Sequence, residues 1–356
     1  MFDTIKTTGP ALFVITWDLG RRCNYDCSYC PSHRHDNFSP HASMGSLKNT
    51  ANFIFEYANT IAPYRNDKNF CISFTGGEPT VNPNFIEFSK YLSEKKKEYT
   101  NFNLTLDLTT NGAMGEKTAA AVIEHFDHVT VSYHAEGHPT LKAQALERVM
   151  QFKDAGMNMK VNVMMHVKHF EECQQVCDYL EENQVKFIPR VIGENPDNNF
   201  SHLNEYTEEH KQWFKKYYGE DANPNVRPCC GGRTMRLCGT EGQQDTKVIS
   251  FREFQGWHCA VNWYFLHVEQ QTDLIYHHQT CQATFEGTRG SIGTLSKWQD
   301  LIRDLKYKLE KGKLPIITCP NKVCGCGICT PKSTSLFRLI STLPDTVSDM
   351  GVFNRG

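Results

Sequence analysis

From residue 11 to about residue 220, short apolar runs alternate with longer amphipathic ones. Few architectures accommodate that alternation, and a sheet of parallel βαβ units is the simplest. The runs predict strands near 11–18, 70–75, 102–110, 128–134, 158–166 and 185–192. Helical spacing falls between them, near 47–62, 83–98, 115–125, 140–155 and 169–183, with a further helix near 205–218. Six such units predict an α/β fold, a partial (β/α)6 TIM-like barrel or an open, curved relative of it. In either form the chemistry belongs at the C-terminal ends of the strands.

Two polar, turn-rich stretches, ENPDNNFSH (194–202) and GEDANPNVRP (219–228), end this pattern. They divide the chain into a first domain over 1–220 and a smaller one over 221–356. In the second, apolar runs at 263–268 and 274–278 flank a turn at 269–273, which predicts a β-hairpin. A helix over 295–310, a Cys-rich loop and an irregular tail follow. At 356 residues the chain buries a sizeable core without disulfide staples.

The formal charge is −2, from 38 basic and 40 acidic residues, and no stretch is polybasic. Neither a nucleic acid nor a membrane surface is the expected partner. The N-terminus lacks the apolar stretch of a signal peptide, and no segment approaches the roughly 20 apolar residues of a spanning helix. The composition therefore predicts a soluble, cytoplasmic protein.

Fifteen cysteines stand out in such a chain, where they imply metal or redox chemistry rather than disulfides. Cys23, Cys27 and Cys30 sit directly after the first strand. Three local thiolates suit an iron–sulfur cube with one iron left open to a ligand. A zinc site is the alternative, with His33 or His35 as fourth ligand; His41 lies on the same loop. A second feature, Gly76-Gly77-Glu78-Pro79, follows the second strand. Paired glycines allow close backbone approach to a ligand, and a carboxylate can pair with an ammonium group. An ordinary strand–turn–helix junction would also use glycine and proline.

Together these motifs resemble the radical S-adenosylmethionine (SAM) superfamily, whose Cx3CxΦC motif matches Cys23, Cys27, Tyr29 and Cys30 and whose GGEP motif matches residues 76–79. The resemblance implies that the three cysteines hold a [4Fe–4S] cluster and that SAM chelates the fourth iron. It implies that Tyr29 touches the adenine and that Gly76, Gly77 and Glu78 hold the methionyl amine, with Pro79 in the same cofactor-binding motif. Thr109 and Asn111 at the third strand end, Ser132 and His134 at the fourth, Asn162 on the fifth and Arg190 on the sixth are further SAM-contact candidates. Each also reads as an ordinary polar group of the barrel rim. His134 stands where relatives carry an acidic residue. The implied chemistry is one-electron cleavage of SAM to a 5′-deoxyadenosyl radical that takes a hydrogen from substrate. An external electron donor such as flavodoxin or ferredoxin would supply the reduction.

Cys259 and Cys281 bracket the hairpin, and Cys319, Cys324, Cys326 and Cys329 crowd the late loop. This arrangement resembles the SPASM and twitch extensions that carry auxiliary [4Fe–4S] clusters. The six thiols favour one cluster with Cys259 and Cys281 among its ligands. Two clusters, or a structural zinc, are the alternatives. Cys229, Cys230 and Cys238 have no assignable spacing. Cys71, Cys173 and Cys177 read as buried structural thiols, the last two on one helix face. His277 and His278 adjoin the auxiliary site.

The first strand starts about a dozen residues in, so no fused leader-peptide module is expected ahead of it. The substrate is then a small molecule or a separately presented peptide. The leading expectation is hydrogen abstraction with the auxiliary cluster assisting oxidation or substrate binding. An epimerase using Cys230 or Cys238 as hydrogen donor is the runner-up. A non-catalytic electron-transfer or scaffold protein is the reading from another class.

Overall fold

A computed structural model describes residues 4–5, 12–31, 34–192, 205–218, 254–277, 281, 291–320, 330–341 and 343. In chain order, β1 (Thr4–Ile5) and β2 (Phe13–Asp18) precede α1 (Met44–Ile61). Five further strand–helix units follow: β3 (Asn69–Thr75), α2 (Phe85–Lys96), β4 (Asn103–Thr110), α3 (Glu116–His125), β5 (His128–His134), α4 (Pro139–Asp154), β6 (Asn158–Met165), α5 (Phe170–Glu182), β7 (Phe187–Val191) and α6 (Glu208–Tyr218). Then come β8 (His258–Cys259), β9 (Phe265–Glu269), β10 (Leu274–Tyr276), β11 (Ser291–Thr294), α7 (Trp298–Glu310), β12 (Ile317–Thr318), β13 (Lys332–Ser333) and α8 (Leu336–Ser341).

Strands β2 to β7 are parallel and adjacent in sequence order, and the sheet does not close. This is the partial (β/α)6 barrel expected from the alternation. Period-two patterning sorts its two faces. Phe13, Ile15 and Trp17 are fully buried, and Phe13 and Trp17 pack against Tyr57 of α1 and Phe88 of α2. The alternate residues Val14, Thr16 and Asp18 are only half-buried and face the concave side. The same alternation turns Thr105, Asp107 and Thr109 of β4 inward, while Leu104, Leu106 and Leu108 meet the helices. The concave wall is therefore markedly polar, which suits a binding cavity better than a packed barrel core.

The hairpin forms as expected, with β9 and β10 antiparallel through Leu274↔Glu269. Its first strand does something the sequence pattern does not show. Strand β9 pairs in parallel with β2, from Val14↔Phe265 to Asp18↔Glu269, and so extends the barrel sheet. Because β9 runs with β2, Cys259 lies at the N-terminal end of the sheet, and the residues after Glu269 reach the C-terminal end. A small second sheet, in the order β1-β13-β8-β12, sits at the N-terminal end.

Arg65 fastens this junction. It is 1% exposed, and its guanidinium lies over the rings of Phe13, Phe70, Trp263 and Tyr264. It donates to the carbonyls of Trp263 and, at 3.1 Å, Asp67. The segment leading into β9 is thus tied to β2 and β3. No helix of the described residues is long and apolar enough to cross a membrane.

Replacing Arg65 with Ala removes the cation–π contacts and takes a donor from the buried Trp263 carbonyl and the part-buried Asp67 carbonyl. Arg65→Ala is expected to lower unfolding stability by about 3 kcal/mol, read from the urea midpoint by circular dichroism. A change within about 0.5 kcal/mol would refute this role.

Candidate active site at the mouth of the barrel

The cysteine loop leaves β2 at the C-terminal edge of the sheet. Its base is closed by the Cys23 amide donating to the Asp36 carbonyl at 2.8 Å and the Asp36 amide donating to the Arg21 carbonyl at 3.0 Å. Its far turn is closed by the Cys30 amide donating to the Cys27 carbonyl at 3.0 Å. Cys23, Cys27 and Cys30 gather with Tyr25, Tyr29, Ala113 and Leu141 in a small apolar cluster apart from the main core. Burial pushes the thiol of Cys23 up to about 11 and that of Cys27 up to about 12, and raises Cys30 as well. Neutral thiols result unless a cation compensates, which is the environment a metal centre reverses. The Cys23 sulfur accepts from the Tyr25 amide at 3.4 Å, with the Asn111 amide group at 3.9 Å. The chemistry of this donor set fits a [4Fe–4S] cluster. Among the described residues, no three His, Cys, Asp or Glu side chains converge as tightly as a single metal ion requires; a cube spreads its thiolates over separate irons.

The Gly-Gly turn packs on the stem of the cysteine loop. The Gly77 amide donates to the Gly20 carbonyl at 2.7 Å, and the Glu78 amide to the Arg22 carbonyl at 2.8 Å. A Cβ on Gly77 would stand 2.1 Å from the Arg21 carbonyl oxygen. One on Gly76, whose φ is +121°, would stand 2.6 Å from both the Gly20 carbonyl and Asp18 Oδ1. The glycines let backbone pack on the backbone of the cysteine-loop stem.

The Glu78 side chain is engaged by groups of the chain itself. Its carboxylate is 3% exposed. Oε1 accepts from the Thr80 amide at 3.0 Å, the Thr80 hydroxyl at 2.7 Å and the Thr110 hydroxyl at 2.8 Å, and Oε2 accepts from the Asn111 amide at 2.6 Å. Burial raises its pKa and these donors pull it back; the group ties the turn to the end of β4. Pro79 is buried and opens the short 3-10 turn that supplies Thr80.

The other strand-end candidates divide into groups. Asn111 reaches the loop, donating to Asn24 Oδ1 at 2.6 Å, while Asn24 donates to the Ala113 carbonyl at 3.1 Å. Tyr29 hydrogen bonds through its hydroxyl with His134 Nδ1, and the two rings stack. Burial depresses His134 to about 4, so the imidazole is neutral. Arg190 donates to Asn162 at 3.1 Å, on β7 and β6. Thr109 and Ser132 lie half-buried on the concave face.

Several site residues carry no motif and were not foreseen. Glu136, two residues beyond His134, accepts from the Ser28 amide at 2.9 Å and the Ser28 hydroxyl at 2.8 Å. His166 Nε2 lies 3.3 Å from the same carboxylate. The hairpin contributes Gln271, which accepts from the Arg21 amide at 3.1 Å and donates to the Ser39 hydroxyl at 3.0 Å. It also places His267 and Glu269 beside Asp18, with His267 Nε2 3.3 Å from Glu269. His267 Nδ1 is buried and finds no hydrogen-bond partner among the described residues. Asp18 is raised to about 6, first by burial and further by Glu269; the Gly20 amide, His267 and Arg34 oppose the shift.

Toward the other end of the sheet, Cys259 and Cys281 share a small cluster with Val261, Ile317 and Phe265. Cys319 follows β12, whose Ile317 pairs with Cys259. Cys324, Cys326, Cys329, Cys229, Cys230, Cys238, His33 and His278 lie outside the described residues. Cys71, Cys173 and Cys177 are buried, as expected of structural thiols. His35 faces Asp26 at 3.2 Å, and His277 hydrogen bonds with Asn262.

Residues 17–180 match the radical SAM superfamily. The chain carries a radical SAM domain. An uncharacterized protein of Methanocaldococcus jannaschii, MJ0907, is 29% identical over 106 residues, which span 30% of this chain and 32% of that relative. The fold is similar to the solved structure of native anSMEcpe with bound AdoMet, with a TM-score of 0.52 and 18% identity over 83% of this chain and 81% of that one. The same protein with AdoMet and the Kp18Cys peptide gives a TM-score of 0.51 and 18% identity over 83% and 80%. At that identity the likeness concerns the fold.

Gly77→Ala is expected to cost about 3 kcal/mol, whereas Gly115→Ala, where nothing lies within 4 Å of the added Cβ, changes stability little; urea midpoints compare the two. Asp18 gives a pH test. Its folded pKa of about 6 exceeds the ordinary 3.8, so the folded state binds the proton more tightly and stability falls as pH rises from about 4 to 6. Asp18→Asn removes that penalty, and its stability relative to wild type is expected to be higher at pH 8 than at pH 4. An equal difference at both pH values would refute the buried-carboxylate account.

Proposed function

We propose that this radical SAM protein is an enzyme that holds a site-differentiated [4Fe–4S] cluster on Cys23, Cys27 and Cys30 and acts on a peptide or small-molecule substrate. One observation carries the reading. The Gly76–Glu78 backbone is hydrogen bonded onto the stem of the cysteine loop while Asn111 donates toward Cys23, so both motifs meet at the C-terminal mouth of the partial barrel. A cluster held by Cys23, Cys27 and Cys30 would supply the one-electron reduction of SAM on which hydrogen-atom abstraction from substrate would depend.

The chain's own residues bind, orient and shield. Tyr29, braced by His134, presents a ring edge of the mouth suited to adenine. Gly76, Gly77 and Glu78 border the place proposed for the methionyl amine. Thr109, Ser132, Asn162 and Arg190 supply the polar wall below. Substrate enters the concave face, where Asp18, His267 and Glu269 present acceptors for hydroxyl or ammonium groups. Peptide as a substrate class draws on anSMEcpe, whose solved form carries one.

An auxiliary [4Fe–4S] cluster is assigned to Cys259, Cys281 and Cys319, with further ligands from Cys324, Cys326 and Cys329. Support comes from the packing of Cys259 with Cys281 and from the strand pairing that brings the 319 segment beside them. Oxidation assisted by that cluster is the preferred outcome, with an acidic one-electron carrier such as flavodoxin or ferredoxin as reductant.

Anaerobic reconstitution tests this. Wild-type protein, reduced and given SAM, is expected to form 5′-deoxyadenosine. Replacing Cys23, Cys27 and Cys30 together by Ala is expected to remove about four irons per chain and all SAM cleavage, while auxiliary iron stays. Zinc in the wild-type N-terminal site, or 5′-deoxyadenosine from the triple variant, would overturn the proposal.

A further inference from the structure

We propose that Glu136 is a positioning residue for the cysteine loop, holding the turn between Cys27 and Cys30 in its ligating shape before any metal arrives. Only the consequences for SAM rest on the function proposed above. The carboxylate takes both donors of Ser28, the amide at 2.9 Å on Oε2 and the hydroxyl at 2.8 Å on Oε1. Hydrogen bonds to an ionised carboxylate are about twice as strong as neutral ones, and two on one residue fix orientation as well as distance. The acceptor is itself held. His166 Nε2 stands 3.3 Å from Oε1, and that imidazole is 2% exposed.

The neighbouring residue is shaped to the same loop. A Cβ on Gly137 would stand 2.9 Å from the Tyr25 ring, so the junction between β5 and α4 clasps the loop at Tyr25 and at Ser28. The loop stem is tied by the Gly-Gly turn and the near cysteine by Asn24 and Asn111. Glu136 supplies the tie at the far turn, where Cys27 and Cys30 lie on either side of Ser28. The sequence places this acid in the β5–α4 connection, outside the cysteine motif, so the loop's shape depends on a residue that no metal touches.

The test starts with metal-free protein. Amide hydrogen exchange at Ser28 is expected to quicken about tenfold or more in Glu136→Ala, while amides of β3 and β4 keep their wild-type rates and certify the fold. Ser28→Ala, at an exposed position, loses only the hydroxyl bond and is expected to fall between. Glu136→Gln, with one acceptor oxygen and one donor nitrogen, is expected to retain part of the protection. In reconstituted protein, Glu136→Ala is expected to keep its iron, weaken SAM binding about tenfold and alter the electron paramagnetic resonance g-values of the SAM-bound cluster. Unchanged Ser28 exchange in Glu136→Ala overturns the clamp. Faster exchange with wild-type SAM affinity and g-values overturns its role in positioning the cluster. If wild-type protein holds no iron at the loop, the function proposed above fails, and the exchange arm still decides the clamp.

Discussion

The site depends on one backbone contact, in which the Gly76–Glu78 turn lies against residues 20–22. Two main-chain hydrogen bonds span it, and a single methyl group on either glycine would stand inside the facing oxygen atoms. Side chains cannot mediate a contact this close, so its register is set by carbonyl and amide positions alone. The cysteine loop therefore leaves the barrel at an angle dictated by the end of β3. Glu78 extends the same order to the next strand, because its buried carboxylate ties the 3-10 turn to Thr110 and Asn111 at the end of β4. Three consecutive strand ends are locked to one another, and the loop bearing the cysteines is carried by all three.

The rest of the loop is held by one carboxylate and by main-chain hydrogen bonds. Glu136 grips Ser28 and Asp36 closes the base. The outcome is a loop in which the thiols are buried enough to resist ionisation but gathered at one place. A metal centre compensates the cost of thiolate formation in such an environment, and an apolar neighbourhood limits access of water to it.

The hairpin adds the remaining wall. Strand β9 continues the parallel sheet past β2, and Arg65 anchors its approach among four aromatic rings. Its outward end then delivers His267, Glu269 and Gln271 to the mouth, while its inward end leaves Cys259 near the opposite edge. One short strand thus connects the two cysteine-bearing regions, and the concave face between them is polar because alternate residues of every barrel strand turn into it.

Much of this was legible in the residues themselves. The period of the apolar pattern located all six barrel strands and their helices, because alternation and helical spacing are local properties of a chain. Cys23, Cys27 and Cys30 were legible because their spacing is short enough to act within one loop. Glu136, His267 and the parallel docking of β9 were not, since each depends on a partner more than a hundred positions away and leaves no periodic trace. The glycines and Glu78 were located, but not the groups they pack on, because a sequence shows that backbone must come close without showing to what. Local order was determined by the sequence. Which surfaces meet was decided only when the sheet brought distant strand ends together.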